Sequence, residues 1–445
     1  MSKCPFHVAP VSDAPASPER RSLLVGLGLA GSGAMISALS HATAARALEA
    51  PADCAAPDSK ARQPFYGTHQ SGVTTERPAT ALFATFNVLA PSRQELERLF
   101  RSLTERIAFL TMGGPAPTAD PRFPPPDSGI VGPIIEPDNL TMTLSVGASL
   151  FDGRFGLDAV KPAYLSAMPS FPNDALEDEI CHGDLLLQIC SNTADTNIHA
   201  LRDIIKHHPD LLMLRWKYDG LLPIARPQGA TPRNLLGFKD GTANPDTGNA
   251  ALMDRIVWVR PESGEPAWAM AGSYQVVRVI RQLVERWDRT PLQEQENIIG
   301  RDKASGAPLT LADEKAIPDY AADPDGARVP LNAHIRLANP RLPETEANVI
   351  LRRSFNYSRG VTKAGQLDIG LIFVCFQSNL EAGFATVQRR LKGEPLEEYI
   401  KPVGGGYFFA LPGATRPGDY LGRGLIEADM PDAKAGAAAA TSQKG

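Results

Sequence analysis

DLLLQICSNTADTNIHALRDII, residues 184–205, reads as a strand running straight into a helix. Residues 184–190 form an apolar run of strand length. After it Ile198, Leu201, Ile204 and Ile205 recur at helical spacing, with Asp195 or Thr196 near the helix start. The same order returns at LDIGLIFVCF (367–376), which is followed by Phe384, Val387 and Leu391 at helical spacing. Working outward, the first half adds a strand at ALFATFNVLA (81–90), a helix on Leu96, Leu99, Phe100, Leu103 and Ile107, and a strand at TMTLSVG (141–147). The second half opens after a Pro/Gly-rich segment at 223–248. It adds strand-like runs at RIVWV (255–259), SYQVVRVI (273–280), HIRLA (334–338), ILRRSFNY (350–357) and YFFALP (407–412), and a helix near 291–300. Strand pairs of this kind argue against a purely parallel sheet. The reading is α+β: two domains, 64–222 and 223–430, each an antiparallel sheet with helices on one face.

The termini carry different signals. Arg20 and Arg21 precede a Gly/Ala-rich apolar stretch (23–39) that is short for a membrane span, and Ala42-Thr43-Ala44 and Ala45-Arg46-Ala47 fit a small-residue cleavage pattern. Residues 1–47 therefore read as a twin-arginine export signal, which carries a folded protein to the periplasm. Residues 48–63 read as a linker and 431–445 as a disordered low-complexity tail. The net charge of −5 and the pI near 6.0 give no support to a nucleic-acid partner. Cys4, Cys54, Cys181, Cys190 and Cys375 include no CxxC pair, so zinc and thioredoxin-type sites are unsupported; Cys190 and Cys375, in apolar runs, read as buried free thiols.

Three segments carry candidate chemistry. In LLGFKDGTANP (235–245), Asp240 lies between Gly237 and Gly241; the pattern fits a plain Asp-Gly turn, or a small-residue stretch approached closely by a flat ligand. In HIRLANPR (334–341), His334 is either a satisfied strand histidine or a ligand. In LRRSFNY, Arg352 and Arg353 interrupt an apolar strand, facing solvent at a sheet edge or buried against a partner.

Together, Gly-x-x-Asp-Gly, the later His-x-x-x-x-Asn-Pro-Arg and the arginine strand resemble the dye-decolorising peroxidases, above all their exported deferrochelatase/peroxidase branch in bacterial iron uptake. The likeness runs from QPFYGTHQSGV (63–73) through FPNDALEDEICHGDLLLQIC to KPVGGGYFFALPG (401–413). It implies two ferredoxin-like domains, one haem b per chain held by the C-terminal one, a homodimer and iron-uptake permease partners. It implies His334 as the ligand to haem iron, with Asp240 and Arg352 on the opposite face. Asp240 would move a proton between the oxygens of hydrogen peroxide, and Arg352 would stabilise the charge growing as the O–O bond breaks. Asp240, with a reference pKa near 3.9, would stay ionised in acid and give an acidic optimum. Gly241, Thr242 and Ala243 would line the haem, and Asn339, Pro340 and Arg341 would turn near its edge, with Arg341 pairing a propionate. Glu398 is the candidate acceptor for the second N–H of His334. Ser354 stands where many relatives carry Asn. The implied reaction oxidises an organic donor with hydrogen peroxide; release of iron from haem as substrate and a non-catalytic exported haem carrier are the other readings.

Overall fold

The computed structural model describes residues 58–223, 225 and 229–428; the export signal, most of the linker and the tail expected from the sequence lie outside these residues. Of the expected linker, Ser59 and Ala61 are held against the body, their carbonyls accepting from Asp138 and Asn139 at 2.7 and 2.8 Å.

The first half runs β1 (Thr80–Val88), α1 (Arg93–Met112), a small hairpin of β2 (Gly114–Pro115) and β3 (Ile134–Ile135), β4 (Thr141–Gly147), β5 (Leu185–Ser191), α2 (Ala194–His207) and β6 (Leu212–Leu221). Ser92 caps α1 by accepting from the Glu95 amide at 3.2 Å. β6 was not among the expected strands, though Trp216 and Tyr218 alternate there with charged residues in the period of a half-buried strand. Antiparallel pairing gives the order β4-β5-β1-β6.

The second half runs α3 (Ala250–Ile256), β7 (Ser273–Gln282), α4 (Val284–Trp287), α5 (Leu292–Ile299), α6 (His334–Ala338), β8 (Leu351–Arg352), β9 (Phe355–Val361), β10 (Leu367–Gln377), α7 (Thr386–Arg390), β11 (Ile400–Ala410) and α8 (Arg423–Glu427). Its order is β11-β7-β10-β9, with β8 also on β10. In both halves the first and third strands lie at the centre, flanked by the fourth and second, which is the ferredoxin-like arrangement. The halves then join twice. β11 pairs with β4 at Phe408–Gly147, and β6 pairs with β9 at Leu221–Asn356, so the strands close into a ring.

Strand alternation sorts the side chains into two layers. Ala81 and Phe83 join Val277, Val279, Phe355, Val374 and Phe408 in a core shared by both halves. Leu82, Ala84 and Phe86 pack instead beneath Leu96, Leu99, Phe100 and Leu103 of α1. A buried polar chain crosses the shared core: Ser145 donates to Gln275 at 2.6 Å, Gln275 to Gln188 at 3.0 Å, and Gln188 to the Gly72 carbonyl at 2.7 Å.

Of the expected strands, one is helical and another ends a helix and then turns. RIVWV overlaps the end of α3, which Asn249 caps by accepting from the Leu252 amide at 3.0 Å. HIRLA is α6: the Ala333 carbonyl accepts from the Arg336 and Leu337 amides, both at 3.0 Å. A five-residue alternation is too short to separate the two periods, so the local hydrogen bonds decide. Cys181, Cys190 and Cys375 are buried free thiols.

Candidate haem site

The crossover between the first two strands differs between the halves, and that difference makes the cavity. In the first half it contains α1, a continuous helix of 20 residues that fills the outer face of its sheet. In the second half the corresponding stretch is broken into α4, α5 and α6, of 4, 8 and 5 residues. Short helices joined by loops cannot cover the sheet, and a cavity of about 280 Å³ remains. One wall is sheet and turn: Ile280, Arg352, Leu371, Phe373 and the segment 238–243. Another is helical, with His334, Ile335, Val387, Leu391 and Glu394.

α6 places His334 at its first position. Behind it Gly300, at φ 91°, approaches so closely that a Cβ there would lie 2.7 Å from Ile335 Cγ1. The His334 Nδ1 lies 2.7 Å from Glu394 Oε2, and the carboxylate is almost wholly buried. That pairing makes Nδ1 the donor and leaves Nε2 with no protein partner among the described residues. Burial disfavours the imidazolium of His334, but the charge and hydrogen bond of Glu394 outweigh it and raise the pKa above the ordinary value.

This corrects the expected acceptor. Glu398 is exposed and lies 3.8 Å from Arg286, away from the cavity. Gly393, at φ 80°, and Pro395 shape the turn around Glu394, and the short helix Pro395–Glu398 carries the later carboxylate outward. Glu394 was missed; the only sequence signal is its place in a Gly-Glu-Pro turn ahead of Glu398.

Asp240 and Arg352 meet, Arg352 Nη1 donating to Asp240 Oδ1 at 2.9 Å. Asn244 clamps the arginine's backbone, accepting from its amide at 3.0 Å and donating to its carbonyl at 2.7 Å. Strand alternation sends the neighbouring arginine the other way. Arg353 is buried and donates to the carbonyls of Thr75 and Glu76, and burial lowers its pKa to about 10. Gly241 adopts φ 117°, a left-handed conformation that a side chain would strain, so the Asp-Gly turn lies in the cavity wall. Gly241, Thr242, Ala243, Asn339 and Arg341 all line the cavity; Pro340 and Ser354 do not. Thr242 gives its hydroxyl to Glu314 at 2.8 Å. Arg341 follows Asn339 in a turn at φ 62°, its amide held by Asn339 Oδ1 at 3.2 Å. Arg278 and Arg301, unanticipated, add their guanidinium groups to those of Arg341 and Arg352 in the lining.

The donor set fits a haem. One imidazole keeps a free nitrogen while a carboxylate holds the other, which is how metal-bound histidines are oriented. The apolar residues Ile280, Leu371, Phe373 and Leu391 suit a flat macrocycle, and the arginines suit its carboxylates. Trp258, Trp268 and Trp287 are buried, as packed aromatics.

Comparison with known proteins agrees with this geometry. Residues 70–222 match the family model described as Dyp-type peroxidase, N-terminal, and residues 231–415 that described as Dyp-type peroxidase, C-terminal. A protein named Deferrochelatase from Escherichia coli O6:K15:H31 is 57% identical over 413 residues, 92% of this chain and 97% of that one. Another of that name, from Yersinia pestis bv. Antiqua, is 56% identical over 426 residues, covering 94% and 96%. The DyP-type peroxidase of Streptomyces coelicolor superposes with a TM-score of 0.75 at 35% identity, over 83% of this chain and 98% of that one. That of Cellulomonas bogoriensis gives 0.74 at 34% identity, over 83% and 99%. The fold, the paired cavity residues and both family matches place this chain in the Dyp-type peroxidase family.

Proposed function

We propose that this protein is a haem b peroxidase in which His334 is the ligand, Asp240 the proton-transfer group and Arg352 the electrostatic partner. The observation that carries the reading is the single cavity that holds a histidine with a free Nε2 and an Asp–Arg pair. Haem, when bound, supplies the electrons that break the O–O bond, and an organic donor restores them. Asp240 takes a proton from one peroxide oxygen and returns it to the other, which leaves as water. Arg352, fixed through its backbone by Asn244, presents a permanent positive charge to the oxygen that gains electron density. Glu394 keeps the Nδ1 proton of His334 and makes Nε2 more basic. Gly241, Thr242 and Ala243 would line one side of the macrocycle, and Arg341 would pair one of its carboxylates.

The likeness to proteins named Deferrochelatase supports a second reading, iron release from haem as substrate. The Asp240–Arg352 pair speaks against a mere haem carrier, which has no use for an acid beside a fixed cation. The paired arginines at 20–21 support periplasmic export by the twin-arginine route. The family likeness supports a homodimer and an iron-uptake permease partner.

The test is the absorption spectrum of haem-loaded protein before and after one equivalent of hydrogen peroxide. Wild type should show a Soret band that changes at once on addition, and His334→Ala should lose or shift that band. Asp240→Asn should keep the band and react about 10²–10⁴-fold more slowly. A haem spectrum indifferent to peroxide in the wild type would overturn the peroxidase reading. Free protoporphyrin fluorescence appearing with time would establish iron release.

A further inference from the structure

Between α5 and α6 runs a long segment, residues 300–333, in which only Gly300 and Arg301 have so far been given a place at the cavity. One side chain on it, Glu314, makes three contacts with the stretch that carries Asp240. Its Oε1 accepts from Thr231 Oγ1 at 2.5 Å and from Thr242 Oγ1 at 2.8 Å, and its Oε2 accepts from Lys239 Nζ. Lys239 and Thr242 bracket Asp240 in the chain. Thr231 adjoins Pro232, whose carbonyl accepts from the Asp240 amide at 2.9 Å. Glu314 is itself held: Arg301 Nη1 donates to its carbonyl at 3.0 Å and to that of Gly306 at 2.6 Å. Gly306 in turn gives room to the Lys239 stem, since a Cβ there would lie 2.5 Å from Lys239 Cδ. A parallel tie comes from Arg233, which donates to the carbonyls of Lys303 and Ala304 at 2.6 and 2.7 Å.

The residue type matters. Three donors converge on one group, and a carboxylate has enough lone pairs to accept them all. A glutamine of the same size would offer one oxygen and turn its NH₂ toward another donor.

We infer that Glu314 is a positioning residue for proton transfer: through Thr231, Lys239 and Thr242 it fixes the backbone on which Asp240 approaches the peroxide. The inference rests on the reading of Asp240 given above. It makes the loop before His334 a brace for the opposite side of the cavity.

The experiment compares haem-loaded wild type, Glu314→Gln, Thr231→Val and Asp240→Asn. Glu314→Gln should react with hydrogen peroxide ten- to a hundredfold more slowly, the size expected when a reacting group is displaced by about an ångström. Its KM for the organic donor and its Soret position should stay as in the wild type. Cyanide association, which needs the same removal of a proton without turnover, should slow in parallel. Hydrogen exchange should rise at residues 237–243 and stay unchanged at 334–338. Thr231→Val, which removes one of the three donors, should show a smaller effect in the same direction. Unchanged exchange at 237–243 together with rates within twofold of the wild type would overturn the inference. So would exchange raised throughout the chain, which would make Glu314 a merely structural residue. If Asp240→Asn reacts as fast as the wild type, the proton-transfer reading itself fails. If Asp240→Asn is slow and Glu314→Gln is not, only the positioning role fails.

Discussion

Glu394 decides which nitrogen of His334 faces the cavity, and a buried carboxylate 2.7 Å from Nδ1 does this more firmly than a carbonyl would, because it carries charge as well as geometry. Glu394→Gln is therefore expected to lower haem affinity about 10–100-fold, the usual cost of losing such an outer partner. Glu398→Gln should change it less than twofold, since that side chain is exposed and directed at Arg286. Titration of the haem-free variants with haem, followed at the Soret band, measures both. At this scale the sequence was informative through its family resemblance, since each segment read alone left a plain turn, a strand histidine or an edge arginine open. Asp240, Arg352 and His334 are far apart in the chain yet line one cavity, as do Gly241, Thr242, Ala243, Asn339 and Arg341. It was uninformative where three acids share one turn. Which of Glu394, Glu397 and Glu398 points inward depends on the backbone at Gly393 and Pro395, and composition does not reveal that.

Long elements were legible where their period is apolar; β6, ten residues long but alternating with charged side chains, was not. The helix on Leu96–Ile107 and the strands at 141–147 and 185–191 have enough residues for their period to show. α6 has five residues and α3 seven; the hydrogen bonds to the Ala333 carbonyl in α6 and the Asn249 cap in α3 decide a conformation that apolar alternation had suggested otherwise. The 300–333 segment has no period at all; its order comes from side chains such as Glu314, Asp323 and Arg301 that bond backbone or distant partners. That gives it a pH dependence. Burial would raise the Glu314 pKa, but hydrogen bonds from Lys239, Thr231 and Thr242 overcome this and hold it at about 2. A depressed carboxylate stabilises the fold fully above its unfolded value, near 4.5, and the stabilisation is lost as pH falls toward 2. At most about 3 kcal/mol is at stake. Urea midpoints measured at pH 6, 4 and 2.5 should fall for the wild type over the lower interval, and Glu314→Gln should start lower and fall less.

At the level of the whole molecule, the ring of strands leaves neither half able to bury its own sheet. Phe83 from one half and Phe355 and Phe408 from the other share a core, and the Ser145–Gln275–Gln188 chain crosses it. Unfolding is therefore expected as one transition, with circular dichroism and tryptophan fluorescence coincident; two resolved steps would show the halves to be independent. Residues 64–222 expressed alone should aggregate, because β4 and β6 would each present an unpaired edge. The two seams have a further meaning. Each joins the fourth strand of one half to the second strand of the other, so the two contacts are the same contact made twice. A two-fold symmetric dimer of a single ferredoxin-like unit would make such an isologous interface. The chain can be read as such a dimer fused end to end, with symmetry kept in the strands and abandoned in the crossovers. In one chain the two halves need not be identical: the first carries a long helix and serves as scaffold, and the second carries short helices around a chamber.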